Sequence, residues 1–341
     1  MRFQFHDPAN STTPVVSIDG VTPTGPNFSH WPGNRTPKDL RHDLSTGIAL
    51  QLARLTEAQR HERFEGLETI TNTHFDTDGV LAAYALLEPE FALAHEALFL
   101  DAARTGDFQA FTTEEALALD LLISATSPGP STEEPERRQA QYEAAFERLP
   151  AFCKDPIGAI YADDELAITF DTIVVEVESV ATDTVGVERV PDLDLAIVTS
   201  GLPICRHALH AAAGDLWRVL SVVPCGFGHL YRLHDRVESW FDLVSVTHSA
   251  RVPFGPLATF LEELEVSETE PHWHAHPVDV PIPECWFGEF GTEASFGPAS
   301  PGDLCVSRLS PRIVKRAVTD HLRRGTTQLR VIRGGKFDSA H

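Results

Sequence analysis

The chain is 341 residues long, with 42% hydrophobic and 23% charged residues, which suits one large core or two modest ones and excludes a disordered or fibrous chain. Its 27 Lys and Arg face 50 Asp and Glu, a formal net charge of −23 that repels polyanions and disfavours bulk nucleic-acid binding through phosphate neutralisation. No apolar run is long enough to span a membrane, Met1–Asn10 lacks a charged leader, and the five cysteines form no Cys-x-x-Cys pair, so a cytoplasmic protein with reduced thiols is expected.

Residues 1–35 are rich in Pro, Ser, Thr, Asn and Gly and read as an extended arm. Thr36-Pro37-Lys38-Asp39 predicts a helix start, with Thr36 as cap and Pro37 in the first turn. Ser45–Glu65 places Ile48, Leu50, Leu52, Leu55 and Phe64 at partly helical spacing. The β-branched Thr69, Ile70, Thr71 and Thr73 predict a short strand ending at Asp76, and the apolar run Val80–Leu87 a buried helix. Helical segments follow at Phe91–Ala103, Thr113–Ile123 and Glu134–Leu149, with Ser127–Ser131 as a linker. Ala167–Val177, Leu193–Thr199, Val219–Val223 and His229–Val246 read as strands. Glu265–Gly302 reads as a long irregular excursion and Pro311–Arg323 as the last helix. The expected fold class is α/β: a helix-rich N-terminal half around a parallel sheet, then a mixed α+β C-terminal half. The expected divisions are the arm at 1–35, a first domain at 36–165 and a second domain or subdomain at 166–341.

The run His74-Phe75-Asp76-Thr77-Asp78-Gly79 sits where the predicted strand turns into the predicted helix. Such a run projects His74, Asp76 and Asp78 from the strand's carboxyl end, where open α/β sheets bind ligands. One imidazole with two carboxylates suits Mn²⁺ or Mg²⁺ ahead of zinc, and Gly79 lets the backbone pass close to an ion or a phosphate. The competing reading needs no metal: Asp76 and Asp78 cap the helix and complement its dipole. Arg35, in the turn beginning Trp31-Pro32-Gly33-Asn34, stands beside a predicted helix start and is a candidate for holding a substrate phosphate.

The stretch Thr73–Ala83 resembles the first motif of the DHH-type phosphoesterases, which hydrolyse phosphodiester or pyrophosphate bonds with Mn²⁺ or Mg²⁺. The resemblance implies a DHH-like metal-site domain with a parallel sheet, His74, Asp76 and Asp78 as metal ligands, and a small nucleotide or other phosphorylated metabolite as substrate. The Asp-His-His tripeptide that names those enzymes is absent, and Asp101 or Asp107 is the candidate to replace a missing carboxylate ligand. The stretch His30–Pro37, together with His74–Gly79, is also similar to a bacterial family without an assigned activity.

Two alternatives stand beside this one. The chain could be a degenerate, non-catalytic relative that binds a ligand or partner. Phe75–Leu81 also resembles the nucleophile loop of haloacid-dehalogenase-type phosphatases, with Asp76 as nucleophile, Asp78 as acid/base and Val198-Thr199-Ser200 as the second motif. His272, His274 and His276, bracketed by Pro271 and Pro277, read as an exposed loop, and His207 and His210 as polar surface or interface residues.

Overall fold

The computed structural model describes residues 1–7, 12–126, 135–182, 184–247, 249–265, 271–289 and 304–334, so the expected linker Ser127–Ser131 lies outside the described residues. The chain divides into two compact units, Met1–Val174 with Phe241–Thr247, and Val175–Trp240 with His248–His341.

The first unit contains β1 (Arg2–Phe3), β2 (Val16–Ile18), β3 (Asn27–Phe28), α1 (Ser45–Ala53), α2 (Glu57–Arg63), β4 (Thr69–Thr71) and α3 (Thr77–Leu87). It continues through α4 (Pro89–Ala94), α5 (Glu96–Phe108), α6 (Glu114–Ser124), α7 (Pro135–Lys154), α8 (Pro156–Ile160) and α9 (Asp164–Ser179), inside which the division between units falls. The four strands form a parallel sheet in the order β1-β4-β2-β3. Residues 1–35 are therefore not an arm: they supply three of the four strands, and Val16, Ile18 and Phe28 are buried with Ile70 beneath α1 and α3. Strands of two or three residues carry no periodicity of their own, so a neighbour distant in sequence is what makes them strands.

Two further expectations are corrected. Thr36 does not cap a helix; its hydroxyl accepts from Ser29 N at 2.8 Å and donates to Ser29 O at 2.7 Å, and only a single 3₁₀ turn, Lys38–Leu40, follows. Ala167–Val177 is not a strand but part of α9. Leu166, Ala167, Phe170, Ile173 and Val174 form one helical stripe against Leu117, Leu122 and Ile160, while Ile168 and Val175 face outward at 68% and 63% exposure. Burial on one stripe outweighs the weak helix preference of β-branched residues.

The second unit comprises β5 (Val185–Val190), β6 (Leu195–Ser200), α10 (Arg206–Ala213), β7 (Arg218–Cys225), β8 (Gly228–Asp235), α11 (Gly255–Leu264), β9 (His272–Ala275), β10 (Glu284–Gly288) and α12 (Pro311–Gly334). Its mixed sheet runs β5-β6-β7-β8-β10-β9, parallel between β6 and β7 and antiparallel at the other pairings. One face, with Leu195, Ile197, Leu220 and Leu233, packs on Leu257 and Leu261 of α11 and on Val314 and Val318 of α12. The other face, with Ala196, Val198 and Val219, packs on Leu209 of α10. The excursion expected after Glu265 thus contains two strands, and β8 stops at Asp235, well short of Val246.

Candidate metal centre

In the parallel sheet β4, β2 and β3 are neighbours, and the chain beyond each carboxyl end carries a His or an Asp: His74 after β4, Asp19 after β2, His30 after β3. Parallel neighbours lie about 4.8 Å apart, so the residue leaving the middle strand falls between the other two. Asp19 does so, with Oδ2 3.1 Å from His74 Nε2 and Oδ1 3.5 Å from His30 Nε2. His74 Nε2 also lies 2.7 Å from Asp76 Oδ2, and His30 Nε2 lies 3.6 Å from Asp78 Oδ2 and 3.2 Å from Asp107 Oδ2, near the end of α5. Two groups with metal-ligand spacing result, Asp19–His74–Asp76 and Asp19–His30–Asp78, and Asp19 belongs to both.

The local sequence explains how each side chain is held. Asp76 caps α3 with Oδ1, which accepts from Gly79 N at 2.8 Å, and turns Oδ2 toward His74. The cap and the contact with His74 therefore use different oxygens of one carboxylate. Asp78 does not cap its own helix: its oxygens accept from Ser45 N and Thr46 N at 2.8 and 2.7 Å, the first amides of α1. A carboxylate there satisfies orphan N–H groups and complements the α1 dipole. Ser45 Oγ donates to Asp19 Oδ1 at 2.7 Å. His30 is anchored through Nδ1 to Asp43 O at 2.6 Å and stacks on Phe241 with centroids 4.0 Å apart, which leaves Nε2 aimed at the carboxylates. Fixing one ring nitrogen on a carbonyl is how proteins orient a metal-binding imidazole. Gly79 is required by space, since a Cβ there would lie 2.1 Å from Asn72 Nδ2 and 2.9 Å from Asp19 Oδ2.

The cluster concentrates negative charge in a largely buried place. Burial alone would lower the pKa of both imidazoles, yet the carboxylates of Asp107, Asp19 and Asp78 raise that of His30 well above its usual value. Asp76 and Asp19 do the same for His74. Asp19 itself, despite its burial, is held low by His74 and His30. Burial and the neighbouring Asp19 push Asp78 up to about 6, burial and Asp78 raise Asp107, and burial takes Asp120, which accepts from Thr77 Oγ1, to about 7. Such a field attracts cations.

The residues fit a divalent ion on a second count. His30 Nε2 and His74 Nε2 are buried and make no hydrogen bond of acceptable geometry, although carboxylate oxygens surround them. Ion coordination would use both atoms. Oxygen donors with one imidazole in each group suit a hard or borderline divalent cation.

Of the residues expected from the sequence, His74, Asp76, Asp78 and Asp107 converge. Asp101 belongs to neither group; it precedes Asp107 by six positions on α5, which separates the two by about 9 Å along the axis and about 120° around it. Arg35 braces the loop after β2, its guanidinium donating to Thr22 O at 3.3 Å and Gly25 O at 2.9 Å. Val198-Thr199-Ser200 lies on β6 of the mixed sheet, not in the parallel sheet that presents Asp76, so the dehalogenase-type arrangement lacks its second motif there. His272 and His274 lie on a strand rather than a loop, bonded to Glu262 Oε1 at 2.8 Å and Gly288 O at 3.0 Å. His210 is buried, its Nε2 3.2 Å from that of His234. Asp19 and His30 escaped the sequence because both fall in the supposed arm. Two signals could have found them: Ser17-Ile18-Asp19-Gly20 repeats the pattern of a short strand followed by Asp-Gly, and His30 heads a stretch already singled out.

That stretch and the run His74–Gly79 both fall within the residues that one family model matches. The chain belongs to the DUF6687 family. The model of this family, described as a family of unknown function, matches residues 2–331. No curated protein matches this DUF6687 chain. Among solved structures it is similar to the "pGpG-specific phosphodiesterase - PggH from Vibrio cholrae", with 8% identity, a TM-score of 0.35, and coverage of 92% of this chain and 100% of that one. A superposition that loose carries no argument, so the chemistry of the DUF6687 cluster rests on its own geometry.

Proposed function

We propose that this protein is a metal-dependent phosphoesterase-like hydrolase that acts on a small nucleotide or another small phosphorylated metabolite and uses Mn²⁺ or Mg²⁺. The observation that carries this is the position of Asp19, whose two oxygens face two different imidazoles at 3.1 and 3.5 Å. A shared carboxylate sets the spacing of two ions, and paired divalent ions about 3.5–4 Å apart serve phosphatases and nucleases. Four carboxylates, those of Asp19, Asp76, Asp78 and Asp107, match the charge of two such ions. When bound, the ions supply Lewis acidity toward phosphoryl oxygens and acidify a water. Asp19, His74 and Asp76 would hold one ion, and Asp19, His30 and Asp78, with Asp107 beside them, the other. Of these side chains His74 and Asp76 are the most open, at 24% and 37% exposure, and they mark the side from which substrate enters. The net charge of −23 favours a small phosphoester over a polymer.

A second reading, a non-catalytic relative that binds an ion or ligand without turnover, is favoured by the absent Asp-His-His tripeptide. Calorimetric titration of metal-stripped protein with Mn²⁺ tests the first step, comparing wild type with the double variant Asp76→Asn/Asp78→Asn. Stoichiometric binding that the variant loses supports the site, and no binding by the wild type overturns it. Turnover in a screen of small phosphodiesters and phosphomonoesters then separates the enzyme from the binding protein.

A further inference from the structure

Tyr142, on α7, is fully buried in a cage of rings, with the centroids of Phe3, Phe75 and Phe146 at 4.3, 5.1 and 5.6 Å. A phenylalanine would fill that cage; the hydroxyl adds a buried polar group that needs partners. It has two. Asn72 Nδ2 donates to it at 2.8 Å, and it donates to the main-chain carbonyl of His74 at 2.9 Å. Asn72, itself fully buried, reaches Asp19 Oδ2 with the same Nδ2 at 3.5 Å, and its Oδ1 accepts from Thr73 N at 2.6 Å. One line of contacts thus joins α7 to the backbone of His74 and to the carboxylate of Asp19.

These two side chains leave different strands, at positions beyond the last paired residues of β2 and β4. The sheet ladder alone does not fix their separation. The polar atoms of the network crowd the foot of α3: a Cβ on Gly79 would lie 2.1 Å from Asn72 Nδ2 and 2.9 Å from both Asp19 Oδ2 and Tyr142 Oη. We infer that Asn72 and Tyr142 are positioning residues of the metal centre, holding Asp19 and His74 at the separation that lets both address one ion. This rests on the metal-site reading above.

The test is Mn²⁺ calorimetry on Asn72→Ser, Tyr142→Phe and the double variant, with thermal melts of the ion-free proteins. Groups that orient metal ligands typically contribute ten- to a hundredfold to affinity, so each single change should raise the Kd by that factor. The double variant should be no weaker than the weaker-binding single, because both residues act along one line. A lower melting temperature with an unchanged Kd shows mere structural support and overturns the inference while the metal site stands. Failure of the wild type to bind Mn²⁺ overturns the metal reading and this inference together. If Tyr142→Phe does not fold, Asn72→Ser, which keeps a small polar group, decides alone.

Discussion

Asp19 and His74 leave adjacent parallel strands and meet with Oδ2 and Nε2 3.1 Å apart, while the other oxygen of Asp19 faces His30 at 3.5 Å. One carboxylate therefore serves both halves of the cluster. The expected consequence is unequal loss: Asp19→Asn should remove both Mn²⁺ sites, whereas His30→Gln should leave one. Titrations giving two ions for wild type, one for His30→Gln and none for Asp19→Asn would bear this out. Two ions retained by Asp19→Asn would contradict the shared ligand.

Gly79 is predicted to be intolerant for a steric reason. Its missing Cβ points at three polar atoms 2.1–2.9 Å away, none of them the end of a long flexible side chain. Gly79→Ala should cost about 1–3 kcal/mol in denaturant unfolding, the usual range for overpacking, and weaken Mn²⁺ binding. Gly255→Ala is the control, because a Cβ there meets nothing within 4 Å, and its stability should stay within about 0.5 kcal/mol of wild type. Equal effects at the two positions would refute the close approach.

For Arg35 the structure predicts a change in stability rather than in binding. The side chain is exposed, and its guanidinium is engaged by the carbonyls of Thr22 and Gly25. Arg35→Ala should lower stability by about 1 kcal/mol and leave the affinity for Mn²⁺ and inorganic phosphate unchanged. A selective loss of phosphate affinity, measured in the same calorimeter, would restore the phosphate-holding role.

The second unit should confer a pH dependence through His234. Burial, then the positive neighbours His210, Arg206, Arg232 and Arg236, lowers its pKa well below 6.5. The unfolded chain takes up the proton near pH 6.5 and the folded chain resists it. Stability from this group is thus complete above pH 6.5 and falls as the pH drops toward the folded-state pKa, by at most about 1.4 kcal/mol per pH unit. Unfolding midpoints of wild type and His234→Gln should converge as the pH falls from 7.5 to 5.5. Parallel profiles would show that His234 does not stay neutral in the folded protein.

The sequence by itself determined the elements whose signal is local. The apolar run after Gly79 lies in a buried helix, and Asp76, at the head of the Asp-x-Asp-Gly run, caps it. His74, Asp76 and Asp78 are legible as candidates for the same reason: all three lie within five residues around the cap of α3. Tertiary structure decided the rest of the centre. Asp19 meets His74, and His30 meets Asp19, only because β4 pairs with β2, and β2 with β3, across intervals of about fifty residues and about ten. No local pattern encodes such pairing in strands two or three residues long, whose hydrogen bonds exist only once the neighbour is in place. The same holds for α9, where β-branched residues form a helix because the packed stripe, not backbone preference, sets the period.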